Sequence, residues 1–286
     1  MSQLIATLPA EDQQFLREAA DYLERPGFLI RVANLVGRPA EAMLRIVPAS
    51  AHDLVAKAAH TALQRAIVWA IRSLPKDNSS APQVKPGRAA QFLERHGHTT
   101  LAAATGAAGG LFGLAALPVE VPATTIVMLR SITQIARQAG ADLSDPQVRL
   151  QCLTVLSLGE PTKLNAMESA YISSRIGLSV AVRDAATFLT QHTASEIAQA
   201  WARGTSPALV RLMGLIASRF EVTLTEKAAA QAVPIVGSAM GALVNAAFTD
   251  HFNRVARFHF GILKLEREHG TELVQAAYRE ACAARR

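Results

Sequence analysis

Apolar residues along this chain recur mainly every three or four positions, the spacing that places them on one face of an α-helix. Residues 28–36 form one such apolar segment, which Gly37 and Pro39 close. Residues 11–24 predict an earlier helix, whose apolar face is formed by Phe15, Leu16, Ala19 and Leu23. The pattern therefore predicts helices from near the beginning of the sequence.

Capping residues mark further helix starts. Ser50 and Asp53 form a capping box that opens a helix ending before Pro75. Other starts combine a capping residue with a following proline or with a glutamate three positions later: Asp145 before Pro146, Thr193 with Glu196, Ser206 before Pro207, and Thr223 with Glu226. Each of these predicts a separate helix.

Two segments without any charge, residues 99–119 and 228–249, dominate the middle and the later part of the chain. A helix is predicted from Pro122 to about Gln138, and Gly140 closes it. The last long helix runs from the second uncharged segment into residues 250–268, and a short terminal helix follows Gly270.

No segment has the alternation typical of strands, so the predicted fold is all-α, a multi-helix bundle with Gly/Ala-rich central helices. Residues 75–91 are rich in proline, serine and charge near their start, which predicts a linker or exposed loop. It separates an N-terminal helical segment, residues 1–74, from a helical domain, residues 92–286. We expect these two parts to pack as one unit.

The two uncharged segments are long enough to cross a bilayer but only weakly apolar. Each contains six strongly apolar residues, which give about −2 to −3 kcal/mol for insertion at roughly −0.3 to −0.6 kcal/mol each. Their small residues recur at helix-packing spacing: Gly106, Gly109, Gly110 and Gly113 in the first, Gly237 and Gly241 in the second, with Asn245 continuing that row. Three interpretations of these segments follow, in order of preference: a buried hairpin in a soluble core, a hairpin that inserts reversibly into lipid, and permanent transmembrane spans.

Glu120 follows the first uncharged segment and lies between Pro118 and Pro122. If Pro122 begins the helix, the carboxylate lies just before its N-terminus, where the helix dipole favours an anion. Alternatively, Glu120 is buried beside a cation such as Arg130 or Lys163, and its protonation gates insertion.

Charge and composition favour an anionic partner. The net charge is +6 and the pI is near 9.7, yet only 18% of residues are charged. Aromatic residues make up 5% and basic residues are scattered, so we expect a membrane surface and no nucleic acid. Residues 250–268 interleave aromatics with Arg254, Arg257 and Lys264, a pattern typical of an anionic interface or of an ordinary amphipathic surface helix.

Recognisable catalytic motifs are missing from the sequence. It contains no phosphate-binding GxxxxGK[ST], no HExxH and no GxSxG, so no catalytic residue, metal or cofactor is predicted. His96 with His98 could form a metal pair, but no third ligand is indicated. Two widely spaced cysteines predict reduced thiols, and the N-terminus lacks a signal peptide pattern. We therefore expect a cytoplasmic protein, peripheral at the inner membrane if it binds lipid.

Two segments resemble the EcsC protein family. The first is the Gly/Ala run that ends in Pro-Val-Glu-Val-Pro and continues as MLRSITQIARQAG, where Glu120 keeps the charge of an acidic turn position that is commonly Asp. The second, within residues 232–268, combines Pro-x-x-Gly-x-x-x-Gly-x-x-x-Asn with an aromatic and basic helix. The resemblance covers most of residues 93–270. It implies a bacterial, helical, membrane-associated protein and carries over no catalytic residue.

Three functions follow as hypotheses. The first is a non-enzymatic helical protein that docks on, or reversibly inserts into, the inner face of a bacterial membrane through Arg254, Arg257 and Lys264. The second is a soluble protein that binds an apolar or lipid-like ligand, such as an acyl chain, in a glycine-lined groove. The third is an enzyme of unfamiliar type that uses Glu120 with Arg130 or a histidine.

Overall fold

The fold is an all-α bundle, known from a computed structural model that describes residues 7–24, 28–36, 39–45, 47–48, 50–72, 113–158, 169–232 and 237–285. Within these ranges there are eleven α-helices and no strand. In chain order they are α1 Ala10–Leu23, α2 Phe28–Val36, α3 Ala40–Arg45, α4 Ser50–Arg72, α5 Leu117–Gln138, α6 Pro146–Leu158, α7 Ala170–Gln191, α8 Ala194–Arg203, α9 Pro207–Ala232, α10 Gly237–His269 and α11 Thr271–Ala283. A 3₁₀ turn, Gly113–Ala116, leads into α5. The predicted all-α fold is confirmed.

Helix α9 lies at the centre of the bundle. It packs against α2, α3, α4, α6, α7 and α10, while α4 and α10 both pack along α5. At the periphery, α1 lies against α10 and α11. The N-terminal helices and the later ones contribute side chains to the same core. Helices of this length gain most of their stability from such tertiary packing. The predicted linker lies outside the described residues.

Three of the predicted capping sites are confirmed in atomic detail. Thr193 and Glu196 form a reciprocal capping box at α8. The amide N–H of Gln147 donates to Asp145 Oδ1 over 2.7 Å, and α6 begins at Pro146. The Leu209 N–H donates to Ser206 Oγ, and α9 begins at Pro207. Side-chain oxygens at these positions satisfy N–H groups that the helix leaves unpaired.

The predicted helix start at Thr223 is wrong. Helix α9 continues through this residue, and the Thr223 hydroxyl donates to the carbonyl of Arg219 one turn earlier instead of capping a new helix. Burial explains the difference, because Thr223 and Leu224 are packed inside the bundle. The tertiary environment here outweighs a local capping signal.

The start of α5 also differs from the prediction. The helix begins at Leu117, so Glu120 lies in its first turn rather than before it, and Pro122 lies inside the helix. Pro122 has no N–H to bond the carbonyl of Pro118, but it follows the first turn so closely that the helix continues. The second uncharged segment is divided between the end of α9 and the beginning of α10.

Helices α3 and α7 have no clear signal in the sequence pattern. Helix α7 begins after Ser169, whose hydroxyl accepts from the Ile172 N–H and donates to Glu24 Oε1 at the end of α1. Glu24 also accepts from the backbone N–H groups of Ala170 and Tyr171. A carboxylate distant in sequence thus completes this N-terminus, which the local sequence cannot indicate.

Candidate functional site

A buried ion pair joins the first turn of α5 to the C-terminal part of α9. The ammonium group of Lys227 donates a hydrogen bond to Glu120 Oε1 over 2.6 Å. The Lys227 and Glu120 side chains are 0% and 3% exposed. Glu120 reaches this position because α5 begins three residues earlier, which turns the carboxylate towards the bundle.

Helix α10 contributes the second partner of Lys227. Asn245 Oδ1 accepts from the Lys227 ammonium over 2.9 Å, and Asn245 Nδ2 donates to Thr124 Oγ1 over 3.4 Å. Gln231 Nε2 lies 3.3 Å from each Glu120 oxygen. Helical spacing explains the grouping, since Thr124 and Gln231 each lie four residues after a member of the ion pair. We call Glu120, Thr124, Lys227, Gln231 and Asn245 the polar cluster.

Aromatic rings enclose one side of the polar cluster. The Lys227 nitrogen lies 4.9 Å from the centroid of the Phe248 ring, which is fully buried. Phe248 in turn packs edge-on against Phe28 and Phe252. The ammonium therefore interacts with a ring face as well as with two oxygens, in surroundings of low polarity.

Burial lowers the pKa of Lys227, and the charge and hydrogen bond of Glu120 oppose that shift. Desolvation is thus the larger effect on the ammonium, although a partner carboxylate lies in direct contact. A completely buried amine with these partners cannot meet a substrate without opening the helices. The arrangement fits a structural connection between α5, α9 and α10 better than a catalytic base.

The two members of the ion pair occupy informative positions in the sequence. Glu120 is the first charged residue after the uncharged segment 99–119, and Lys227 is the last one before the uncharged segment 228–249. Asn245, which completes the polar cluster, belongs to the second segment itself. One bordering charge of each uncharged segment therefore neutralises the other inside the bundle.

The other residues predicted beside Glu120 lie elsewhere. Arg130 is exposed on α5, ten residues and about 15 Å further along the helix axis, so Lys227 takes the place proposed for it. Lys163 lies outside the described residues.

The glycines proposed for close packing are only partly within the described ranges. Gly241 is buried in α10, one turn before Asn245, and Gly237 is the first residue of that helix. Gly113 begins the 3₁₀ turn. Three of the first group, Gly106, Gly109 and Gly110, lie outside the described residues. Close helix approach through these glycines stays a prediction.

The basic residues proposed for membrane contact share the exposed face of α10. Arg254 is paired with Asp250 at 2.8 Å, and Lys264 lies 3.8 Å from Glu268. Arg257 is exposed beside the ring of Phe258. Acidic residues on the same helix therefore offset part of this positive charge. Within the described ranges, no helix is both long and apolar enough to cross a membrane.

Sequence reasoning did not identify Lys227, Gln231 or Thr124 as site residues. A signal existed for Lys227, because it borders an uncharged segment as Glu120 does. The misassigned helix start at Thr223 hid this signal, since it placed Lys227 in a first turn instead of deep in α9.

Comparison with known proteins identifies the family. The model of the EcsC protein family matches residues 13–262, so the chain belongs to this family. A comparison with curated proteins and one with solved structures each found no match. Membership agrees with the two resembling segments and adds the N-terminal helices to the matched region.

Proposed function

We propose that the protein is a non-enzymatic, membrane-associated helical protein that docks on the inner face of a bacterial membrane and inserts part of its uncharged segments conditionally. The observation that supports this most is the buried Glu120–Lys227 pair. It joins the first charged residue after one uncharged segment to the last charged residue before the other, so opening it separates the helices next to both of them.

Energetics favour conditional rather than permanent insertion. Removing one partner of a buried ion pair typically costs about 3–5 kcal/mol, and we take the same range for opening the intact pair. The two uncharged segments together return only about −4 to −6 kcal/mol on insertion. Because these free energies nearly cancel, insertion needs an additional contribution.

An anionic surface supplies that contribution. Basic residues near anionic lipid contribute about 1 kcal/mol each. Arg254, Arg257 and Lys264 lie on one exposed face of α10, the helix that also carries Asn245 of the polar cluster. Docking through this face therefore acts on the same helix that completes the polar cluster, and it is weakened by salt.

Flotation with vesicles of equal parts phosphatidylglycerol and phosphatidylcholine tests the proposal. The wild-type chain should float at low salt, float less at high salt, and keep a carbonate-resistant fraction. A Glu120→Met/Lys227→Met variant, whose helices have no ion pair to open, should still dock and should keep a larger carbonate-resistant fraction than the wild type, because insertion no longer separates two buried charges.

The matched control is Asp184→Asn/Arg211→Gln, which removes an exposed ion pair between α7 and α9. It should behave as the wild type does. A wild-type chain that never floats would remove the membrane proposal. Equal carbonate resistance in the double-methionine variant would remove the role of the ion pair.

A further inference from the structure

A second group of buried polar side chains lies away from the polar cluster, between α6, α7 and α10. His259 on α10 is 1% exposed, and its Nδ1 lies 2.9 Å from the Tyr171 hydroxyl. Arg175 on α7 donates from Nη2 to Glu266 Oε1 over 2.5 Å. His259 Nε2 and Arg175 Nη1 are buried and have no hydrogen-bond partner among the described residues.

These two atoms belong to side chains that line an open cleft. Its volume is about 80 Å³, and its wall includes Arg183 and the apolar side chains of Leu158, Leu178 and Val182. Polar side chains complete the wall: Gln147, Gln151, Thr154 and Ser179. A cavity needs only about 10–15 Å³ for one water, and a cavity of about 150 Å³ accommodates benzene. The cleft therefore fits a molecule of a few heavy atoms.

The hydrogen-bonding character of the cleft follows from the protonation of its side chains. Burial and the charge of Arg175 lower the pKa of His259 to about 3, so the ring is neutral near pH 7. Burial raises the pKa of Tyr171 to about 12, so its hydroxyl keeps its proton near pH 7. The hydroxyl lies 2.9 Å from His259 Nδ1, and when it donates to that atom the ring hydrogen is on Nε2.

Both unpartnered atoms are then donors, Nη1–H of Arg175 and Nε2–H of His259. Buried donors without an acceptor are costly, and an anion supplies acceptors for both. Glu266 already neutralises one side of Arg175, so the remaining positive charge, from Arg183 at the cleft, fits a monoanion rather than a dianion.

We propose that this cleft binds a small aliphatic carboxylate. Its two oxygens accept from Arg175 Nη1 and His259 Nε2, Arg183 attracts the charge, and a short tail packs against Leu158, Leu178 and Val182. The apolar part of the wall, at Leu158, Leu178 and Val182, favours this ligand over inorganic phosphate, which has no tail to bury. The site shares no residue with the polar cluster, so it is independent of the proposed membrane function.

Calorimetric titration of the full chain with butyrate tests the site, with butyramide and inorganic phosphate as comparison ligands at equal ionic strength. Butyrate should bind saturably and shift the His259 Nε2–H proton resonance. Butyramide keeps the tail but lacks the charge, so it should bind at least about tenfold more weakly, the equivalent of about 1.4 kcal/mol.

Two variants localise the binding. Val182→Phe fills the cleft and should abolish butyrate binding. Arg183→Gln alters only an exposed side chain, so the fold is kept, and it should weaken binding about five- to tenfold. The control Arg211→Gln removes another exposed arginine, on α9, and should bind like the wild type.

Several outcomes would overturn the proposal: no butyrate binding, equal affinity for butyramide, tighter binding of phosphate than of butyrate, or unchanged affinity in Arg183→Gln. If Val182→Phe fails to fold, the Arg183→Gln result and the His259 resonance decide the question.

Discussion

The buried Glu120–Lys227 pair and the largely buried Arg175–Glu266 pair both connect helices, with N···O distances of 2.6 and 2.5 Å. They differ in what each cation still lacks. Lys227 has two oxygen acceptors and an aromatic ring, whereas Arg175 keeps a buried N–H without a partner beside an open cleft. A satisfied cation holds helices together, and an unsatisfied one beside a cleft is suited to a ligand.

The comparison is tested most strongly by removing one member of the satisfied pair. Lys227→Met leaves Glu120 buried without its cation and should lower the free energy of unfolding by about 3–5 kcal/mol. The Glu120→Met/Lys227→Met variant leaves no buried charge and should recover more than half of that loss. Urea denaturation measures both; equal destabilisation in the single and double variants would contradict the assignment.

The pH dependence of stability tests His259, whose Nε2 is the other unpartnered buried atom beside the cleft. The unfolded chain protonates His259 below about pH 6.5, whereas the folded chain keeps it neutral down to about pH 3. The contribution of the neutral His259 ring to the free energy of unfolding is therefore complete above pH 6.5 and is lost as the pH falls from 6.5 towards 3. Between about pH 7.5 and 4.5 the wild type should lose about 2–3 kcal/mol more than His259→Gln.

Urea denaturation at the two pH values checks this difference. His60 is the matched control because it is exposed on α4, where its Nε2 lies 2.8 Å from the amide nitrogen of the Gln64 side chain. His60→Gln should leave the pH dependence unchanged. The same pH slope in His259→Gln and the wild type would show that His259 is not buried as a neutral ring.

A substitution at Asn245 tests how much the second hydrogen-bond acceptor of Lys227 contributes to stability. Asn245→Ala removes one acceptor from the buried ammonium and leaves the ion pair with Glu120 in place. The expected loss is about 1–3 kcal/mol in the free energy of unfolding, smaller than for Lys227→Met. Thermal or urea unfolding measures this loss. A loss equal to that of Lys227→Met would mean that Asn245 stabilises the ammonium as much as Glu120 does, contrary to this prediction.

The smallest effect is expected at an exposed pair of the same chemistry. Asp184 and Arg211 lie 4.0 Å apart with side chains 51% and 62% exposed. Removing both in Asp184→Asn/Arg211→Gln should change the free energy of unfolding by no more than about 0.5 kcal/mol, because water screens the pair. A loss above about 2 kcal/mol would mean that burial does not explain why the Glu120–Lys227 pair stabilises the fold more than this exposed pair does.

Much of the fold could be predicted from the sequence where the signals are local. Apolar periodicity and the capping residues at Asp145, Thr193 and Ser206 determine helix type and several starts. Local rules failed at Thr223, because a continuous buried helix outweighs a capping pattern. They also gave no start for α7, where Glu24 from another helix completes the N-terminus.

The site was harder to predict, because its residues meet only in three dimensions. Glu120 attracted notice as an isolated charge between prolines, and Asn245 as the end of a small-residue row. Lys227 lies 107 positions from its partner, and no spacing rule relates the two. The available signal in the sequence was that Glu120 and Lys227 each border an uncharged segment. Their burial as an ion pair in the structure explains that signal.

The most direct test asks whether the ion pair controls lipid access of the second uncharged segment. Leu243 lies in that segment and is 43% exposed, so Leu243→Cys can carry an environment-sensitive dye. Cys282→Ser removes the half-buried thiol, while burial raises the pKa of Cys152 to about 12 and keeps it unreactive.

With vesicles containing phosphatidylglycerol, the dye emission should shift to the blue when Glu120 and Lys227 are present. It should shift further to the blue when Glu120→Met and Lys227→Met are introduced together, because no ion pair then opposes insertion. An equal blue shift in both proteins would contradict the account, because lipid access would then not depend on the buried pair.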